Sequence, residues 1–149
     1  MWASTCPEDH QTGISEGENI AFDTPTGYFD NNWGVLFEYW FVQEGHHWSH
    51  DTHTCRDNEE CGHYAQMVWA AATKVGCAIK KNCKKVTPLN ENDGDVVVCR
   101  YDQRVVEGVS PFEVAKSQAE IASNCPTGRT RQANLCVPDG TLVSIPSNV

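Results

Sequence analysis

The sequence predicts an α+β fold, because helical and loop segments come first and alternating, strand-like segments follow. Hydrophobic residues make up 40% of the 149 residues and charged residues 21%, so the chain can form a core and is not a disordered segment. This length suits about one domain. We therefore expect helices and an antiparallel sheet around a single core.

The first clear element is a helix from Trp33 to Glu44. The stretch WGVLFEYWFVQEG is apolar on most sides, so this helix should be covered on several faces. Gly45 is typical of a helix end. A polar loop precedes the helix at residues 23–32, and a polar, irregular segment follows it at residues 46–61.

Strand patterns occupy the next part of the chain. The run HYAQMVWAA alternates, which predicts a strand with one side chain in two on the same face: His63, Ala65, Met67 and Trp69. The runs VGCAIKKNC and VVVCRYDQ predict two more strands. The intervening KKVTPLNENDGD predicts a long hairpin connection between them.

The C-terminal part begins with a helix signal. In SPFEVAKSQAEIASN, Ser110 can cap a helix, Pro111 fits its first turn and Glu113 completes a capping box. The tail beyond it is too small for a core of its own, and a Cys125–Cys136 bond would suit it. We therefore divide the chain into a main domain, residues 1–112, and a C-terminal helix with a disulfide-stapled tail, residues 113–149.

Charge and cysteine content narrow the function classes. A formal net charge of −9 repels the phosphates of nucleic acids and anionic membranes, so we expect neither as a partner. Eight cysteines predict disulfides and an oxidising compartment, and no C-x-x-C pair supports a zinc ribbon. No apolar run is long enough to span a bilayer. The chain opens without a signal peptide, so we expect its N-terminus to be incomplete.

Three motifs occur together in a characteristic order: GENI at Gly17–Ile20, GHYAQMVW at Gly62–Trp69 and VVVCRY at Val96–Tyr101. They resemble the signature segments of the CAP superfamily, which includes cysteine-rich secretory proteins, antigen 5 and plant pathogenesis-related class one proteins. The resemblance covers roughly residues 2–101. It implies a secreted protein and a three-layer α-β-α sandwich with a small antiparallel sheet. The family's first helix, with its HN signature, is absent from this sequence.

The resemblance also implies a polar cleft with two histidines and two glutamates. It carries over to His63 in GHY, to Glu18 in GENI and to His10, four residues after Cys6. Plant members place the second glutamate eleven residues before a cysteine, and Glu44 has this spacing to Cys55.

Glu38 is the alternative for the second glutamate. It lies on the same predicted helix, six residues before Glu44 and about 240° away around the axis, so both cannot face one cleft. We favour Glu44. For the disulfides, the family pattern implies three pairs and leaves the fourth for the tail: Cys55–Cys61, Cys77–Cys99, Cys6–Cys83 and Cys125–Cys136.

Two imidazoles and two carboxylates allow several chemistries. Neutral imidazole binds zinc, and the glutamates could coordinate it or orient the rings, so Zn²⁺ or another divalent metal is the expected cofactor and no organic cofactor is expected. The same groups could act as acid and base without metal. They could also only hydrogen-bond to each other and lock a strand to a loop. No H-E-x-x-H motif is present.

Two further segments attract attention. GHHWSHDTH holds a second cluster, His46, His47, His50 and His53, whose spacing would allow metal ligation on a helical turn, although a solvated loop is the simpler interpretation. Some family members bind sterols through the loop after the HYxQxVW segment. There Trp69, Val75 and Ile79 could line an apolar surface or belong to the core.

The function expected from the sequence is therefore a secreted module that binds a sterol, another lipid or an extracellular protein. Two alternatives use the same residues. One is a metal-dependent hydrolase or protease that works in the His/Glu cleft, and the other is a purely structural extracellular domain. The oligomeric state is left open.

Overall fold

The structure is a computed structural model, and it describes residues 2–24, 32–89, 91–132 and 134–142. The chain divides into two units, Met1–Phe112 and Glu113–Val149. Most of the loop predicted before the first helix, residues 25–31, and the end of the tail, residues 143–149, lie outside the described residues. None of the described helices is long and apolar enough to cross a bilayer.

The first unit is built on a three-stranded antiparallel sheet with the order β1-β5-β4. The strands of this sheet are β1, Gly17–Asp23, β4, Val75–Val86, and β5, Glu91–Tyr101. A short hairpin, β2 (Trp48–Ser49) and β3 (Thr54–Cys55), lies between β1 and β4 in the chain. In the second unit, β6 (Arg129–Gln132) pairs with β7 (Leu135–Pro138).

Both faces of the central strand β5 are covered, which explains its continuous apolar run VVVC. On one face, Val96 and Val98 pack with Ile20 of β1 and with Ala3 of an N-terminal 3₁₀ turn, Trp2–Thr5. On the other face, the helix-side cluster consists of five buried residues: Leu36, Trp40, Val97, Cys99 and Tyr101. The sheet thus lies between two layers, and the α+β class is confirmed.

The helix predicted at Trp33–Glu44 is present, but its hydrogen bonding changes halfway. Helix α1 spans Trp33–Glu38, and a π-helical turn follows at Tyr39–Gln43. At its end the Glu44 N–H donates to the Tyr39 carbonyl, five residues back. Leu36 and Trp40, one turn apart, are 1% exposed and bury this helix against the sheet.

The strand predicted for HYAQMVWAA is wrong, because Gly62–Met67 forms helix α2. Burial follows neighbouring rather than alternating residues: Ala65 and Gln66 are both buried. Alanine, glutamine and methionine favour helices, and an alternation this short does not separate the two structures. His63, Ala65, Met67 and Trp69 therefore do not share a strand face.

The long hairpin connection is also wrong. The strands continue into the predicted loop and meet at a single 3₁₀ turn, Thr87–Leu89. The register shifts between Lys80 and Cys83, an irregularity that lets the two strands run on past it. Strand β1 was not predicted, because the polar Glu18 and Asn19 interrupt its apolar pattern.

The predicted C-terminal helix does not form within the described residues of the second unit, where residues 113–124 are bends, turns and irregular backbone. Ser110 and Pro111, which were predicted to begin this helix, make other hydrogen bonds. Ser110 Oγ donates to the Phe112 carbonyl (2.6 Å), and the Pro111 carbonyl accepts from Ala70 N (2.7 Å). A helix this short is not stable without a packed face.

Four disulfides tie these elements together, and they have the pairing that the resemblance implies. Cys6–Cys83 joins the N-terminal turn to β4, and Cys55–Cys61 closes the loop before α2. Cys77–Cys99 crosses from β4 to β5, and Cys125–Cys136 closes the β6–β7 hairpin. Such bonds restrict the unfolded chain and so stabilise a small domain.

The buried Gln66 amide locks α2 to the segment after β5. Its Nε2 donates to the Gln103 carbonyl (2.9 Å), and its Oε1 accepts from Val105 N (3.0 Å). Gly17 lies directly against this amide, since a Cβ at Gly17 would be 2.2 Å from Gln66 Oε1. The glycine is thus required by a close approach and not by a turn.

Replacing Gly17 with alanine should lower the free energy of unfolding by about 1–3 kcal/mol, because the held amide cannot retreat from the added methyl group. Gly76→Ala is the matched control. Gly76 also lies in the sheet, but a Cβ there meets nothing within 4 Å. Chemical denaturation with the disulfides intact measures both. Equal stability of the two variants would contradict the packing described for Gln66.

Candidate ligand site

The carboxylate of Glu44 is the most heavily used polar group near the predicted cleft. It lies just after the π-helical turn, and its side chain is only 4% exposed. Its Oε1 is 2.6 Å from His63 Nδ1, and its Oε2 accepts the backbone N–H groups of His63 (3.0 Å) and Tyr64 (3.2 Å). Because these amides lie in the first turn of α2, Glu44 supplies the cap that Cys61 does not.

The His63 ring is held on three sides. Its Nδ1 faces Glu44, and its Nε2 is 3.1 Å from the carbonyl of Ile20 in β1. The Trp40 ring stacks on it with centroids 5.0 Å apart and planes 16° from parallel. Both nitrogens therefore lie within hydrogen-bond distance of oxygen atoms. His63 joins α2 to the edge strand of the sheet.

The peptide group of His63 adds a second link to the same strand. Its carbonyl accepts from Asn19 Nδ2 (3.1 Å), which also lies 3.3 Å from the Tyr101 hydroxyl. Asn19 is 1% exposed, so these bonds are buried. Burial raises the pKa of Tyr101 to about 12, so this phenol stays neutral and can take part in the contact at physiological pH.

The other histidine, His10, is paired with Glu18. The two side chains meet at His10 Nδ1 and Glu18 Oε1, 2.8 Å apart, and the same oxygen accepts from Gln11 N (3.0 Å). Glu18 Oε2 is 2.9 Å from Arg100 Nε. The Glu18 side chain is 2% exposed whereas that of His10 is 54% exposed, so the carboxylate is buried beneath an accessible ring.

Arg100 is a site residue that sequence reasoning missed. It stands directly opposite Glu18 in the β1–β5 ladder, which makes the ion pair a cross-strand contact. A second guanidinium nitrogen of Arg100 donates to Gln11 Oε1. Its place in the VVVCRY motif was visible, but the pairing with Glu18 required the strand register.

The four predicted cleft residues thus form two separate pairs, His10 with Glu18 and His63 with Glu44. Glu38, the alternative, is exposed on α1 and is not part of either pair. The pairs attach to nearby points of β1, because Glu18 and Ile20 are two residues apart, about 7 Å along a strand. Across the described ranges, no three His, Cys, Asp or Glu side chains converge as a metal-ligand group.

Contacts within the two pairs already engage most of the atoms that could bind a metal. Three of the four carboxylate oxygens are in hydrogen bonds, Glu18 Oε2 forms an ion pair with Arg100, and His63 Nε2 faces a carbonyl. Among the four side chains, His10 Nε2 is the ligand atom without a partner in the part of the chain that the structure describes. A catalytic zinc takes three protein ligands, so in this arrangement it would have to displace hydrogen bonds of buried groups.

The second histidine cluster is divided: His46 and His47 lie in the turn that follows the helix, and His50 and His53 lie in the loop between β2 and β3. His47 contacts the Glu60 carbonyl through Nδ1 (3.0 Å) and the Glu59 carboxylate through Nε2 (3.6 Å). His50, at the turn after β2, contacts the Phe112 ring, and His53 follows with a positive φ of 56°. His46 is exposed. The helical spacing that would have brought these rings together is therefore absent.

The apolar candidates differ in exposure. Val75 is 60% exposed, while Trp69 and Ile79 are half-buried. Val75 and Ile79 lie opposite Tyr101 and Val97, two members of the helix-side cluster, so both point to the face of the sheet that α1 covers. Ile79 packs against this cluster, and Val75 extends the apolar surface outward along the edge strand.

A serine motif was also overlooked in the sequence. The segment GISEG, Gly13–Gly17, matches the spacing G-x-S-x-G. A nucleophile elbow requires a strand followed by a helix, but this segment is a bend that leads into β1. The Ser15 hydroxyl lies 3.4 Å from its neighbour Glu16 and is exposed. The structural context of a hydrolase elbow is therefore missing.

Comparison with known proteins identifies one family. The model of the cysteine-rich secretory protein family, CAP, matches residues 1–101. The chain is 42% identical to pathogenesis-related protein 1B of Nicotiana tabacum over 111 residues, which are 74% of this chain and 58% of that protein. It is 30% identical to peptidase inhibitor 16 of Homo sapiens over 126 residues, 84% of this chain and 25% of that protein.

A solved structure shares the fold. The crystal structure of Na-ASP-1 superposes with a TM-score of 0.63 at 25% identity, covering 91% of this chain and 34% of that one. The chain therefore spans between a quarter and about three-fifths of the length of these relatives.

Glu44→Ala should lower the free energy of unfolding by about 3 kcal/mol, because it leaves two part-buried N–H groups and the His63 ring without their acceptor. Glu38→Ala on the same helix is the control and should change it by less than about 0.5 kcal/mol, since Glu38 is exposed. Urea unfolding curves compare the two. A loss for Glu38→Ala that equals the loss for Glu44→Ala would argue against the capping role.

Proposed function

Since this chain belongs to the cysteine-rich secretory protein family, the CAP family, we propose that it is an extracellular module that binds a sterol or a similar lipid. The observation that carries this proposal is the internal pairing of its polar cleft. Both glutamates are buried; three of their four carboxylate oxygens hydrogen-bond to the chain's own N–H groups or histidine rings, and the fourth, Glu18 Oε2, is 2.9 Å from Arg100 Nε in an ion pair. These groups hold the fold, which leaves the apolar surface for a ligand.

The location outside the cell is supported by the disulfides. All eight cysteines are paired, and the described chain contains no free thiol. Bonds of this kind persist in oxidising compartments and are rare in the cytosol.

The apolar surface for the lipid is the one predicted around the edge strand β4. Val75 and Ile79 lie on the same face, and Ile79 borders the helix-side cluster together with Phe37, Met67 and Ala72. Trp33 stacks on Phe37 (centroids 6.3 Å apart) and is itself 37% exposed. Partly exposed aromatic and aliphatic side chains beside a core suit an apolar ligand with few polar groups.

A hydrolase is the second candidate, and one observation favours it. The buried Glu18 orients the accessible ring of His10, which is the arrangement of a general base. Turnover of an ester or peptide that His10→Gln abolishes without lowering the melting temperature would support this candidate in place of the lipid module.

Val75→Asp should weaken binding of a fluorescent sterol analogue by about tenfold or more, because a charge then replaces apolar contact area at the proposed surface. Val106→Asp is the matched control, since Val106 is 54% exposed but lies outside this surface. Fluorescence titration of both purified variants measures the affinities. Absence of sterol binding by the unmodified protein, or equal loss in both variants, would contradict the proposal.

A further inference from the structure

Both His–Glu pairs engage the ring at Nδ1, but His63 Nε2 faces the Ile20 carbonyl whereas His10 Nε2 has no partner within the described residues. We propose that Arg100 is a positioning residue: it fixes Glu18, and Glu18 fixes His10 with its Nδ1–H inward and its Nε2 outward, as an acceptor for a ligand hydroxyl. The hydroxyl ligand rests on the proposed binding function, whereas the ring geometry does not. It can be tested on the protein alone.

Arg100 first acts on the buried carboxylate of Glu18. A carboxylate that is 2% exposed needs a counter-charge. Arg100 Nε provides that charge 2.9 Å from Oε2, while His10 Nδ1 and Gln11 N contact Oε1. The ion pair at one oxygen and the two hydrogen bonds at the other hold Glu18 against the ring. Removing Arg100 would leave the carboxylate buried with only one oxygen held.

Arg100 also acts on the chain segment that carries His10. Arg100 also donates to the side-chain oxygen of Gln11, the residue after His10. The Gln11 amide in turn donates to Glu18. One guanidinium therefore fixes the carboxylate and the chain segment together, which a simple point charge would not do. The ring of His10 is positioned from both its backbone and its Nδ1.

The contact with Glu18 decides which nitrogen of the His10 ring carries the proton. A carboxylate beside Nδ1 accepts a hydrogen bond and so favours the neutral tautomer with its proton on Nδ1, which leaves the lone pair on Nε2. The ring is 54% exposed, and within the described residues its Nε2 has no partner. In His63 the corresponding nitrogen faces the Ile20 carbonyl. Of the two rings, only His10 can therefore accept a hydrogen bond from a ligand. Because the accepting nitrogen is uncharged, a neutral hydroxyl group is a suitable donor.

Nitrogen-15 NMR of the histidine rings at a pH of about 8, where an ordinary histidine is neutral, tests the geometry. The unmodified protein should show His10 with a proton on Nδ1 and a bare Nε2. Arg100→Met should convert this signature to a mixture of tautomers, and Arg100→Lys should restore it in part. Arg104→Met is the control, because Arg104 bonds the Glu16 carbonyl and not Glu18; it should leave the signature unchanged.

A proton on Nε2 of His10 in the unmodified protein would overturn the proposal without any variant. An unaltered signature in folded Arg100→Met would overturn the role of Arg100. For the hydroxyl ligand, the probes are a sterol and methyl glucoside. A shift of the His10 Nε2 resonance with either one supports the acceptor role and distinguishes a lipid from a saccharide source. No shift with both would overturn that role, while the sterol fluorescence titration tests the lipid module independently.

Discussion

The buried carboxylate of Glu44 is the interaction on which the arrangement of the first unit depends. It ends the long helix, caps the first turn of α2 through two backbone amides and holds the His63 ring. His63 then reaches the carbonyl of Ile20 in the edge strand β1. One side chain thus connects two helices and the sheet, and its desolvation is offset because each oxygen has a donor.

This constraint also explains why a polar cluster of this composition need not be catalytic. Glu44 hydrogen-bonds within the chain through both oxygens, Glu18 does so through one oxygen and forms an ion pair through the other, and His63 has oxygen atoms at both nitrogens. Within the described residues, the proposed ligand contacts are therefore the accessible side of His10 and the apolar surface near Val75. The same residue types that predict chemistry from a sequence can therefore stabilise a fold through hydrogen bonds and ion pairs.

Secondary structure was predicted correctly from the sequence where a local residue pattern was compatible with a single type of element. The apolar run at Trp33–Glu44 identified the long helix, because burial on several sides leaves a continuous pattern. It failed at Gly62–Met67, where six residues fit either structure and the deciding cap, Glu44, is distant in the chain. It failed at Ser110–Glu113 because a capping signal does not supply a packing partner for a helix. Arg100 required the register of two strands.

Native-state hydrogen exchange of the His63 and Tyr64 amides tests the central role of Glu44 most directly. Amides in the first turn of a helix normally lack intrahelical acceptors and exchange readily. If Glu44 caps α2 from the end of the preceding helix, these two amides exchange as slowly as the buried amides of β5, since they then open only when the helix, α2 and the sheet separate. Exchange of both amides at the rate of an exposed helix terminus, with β5 still protected, would contradict the account.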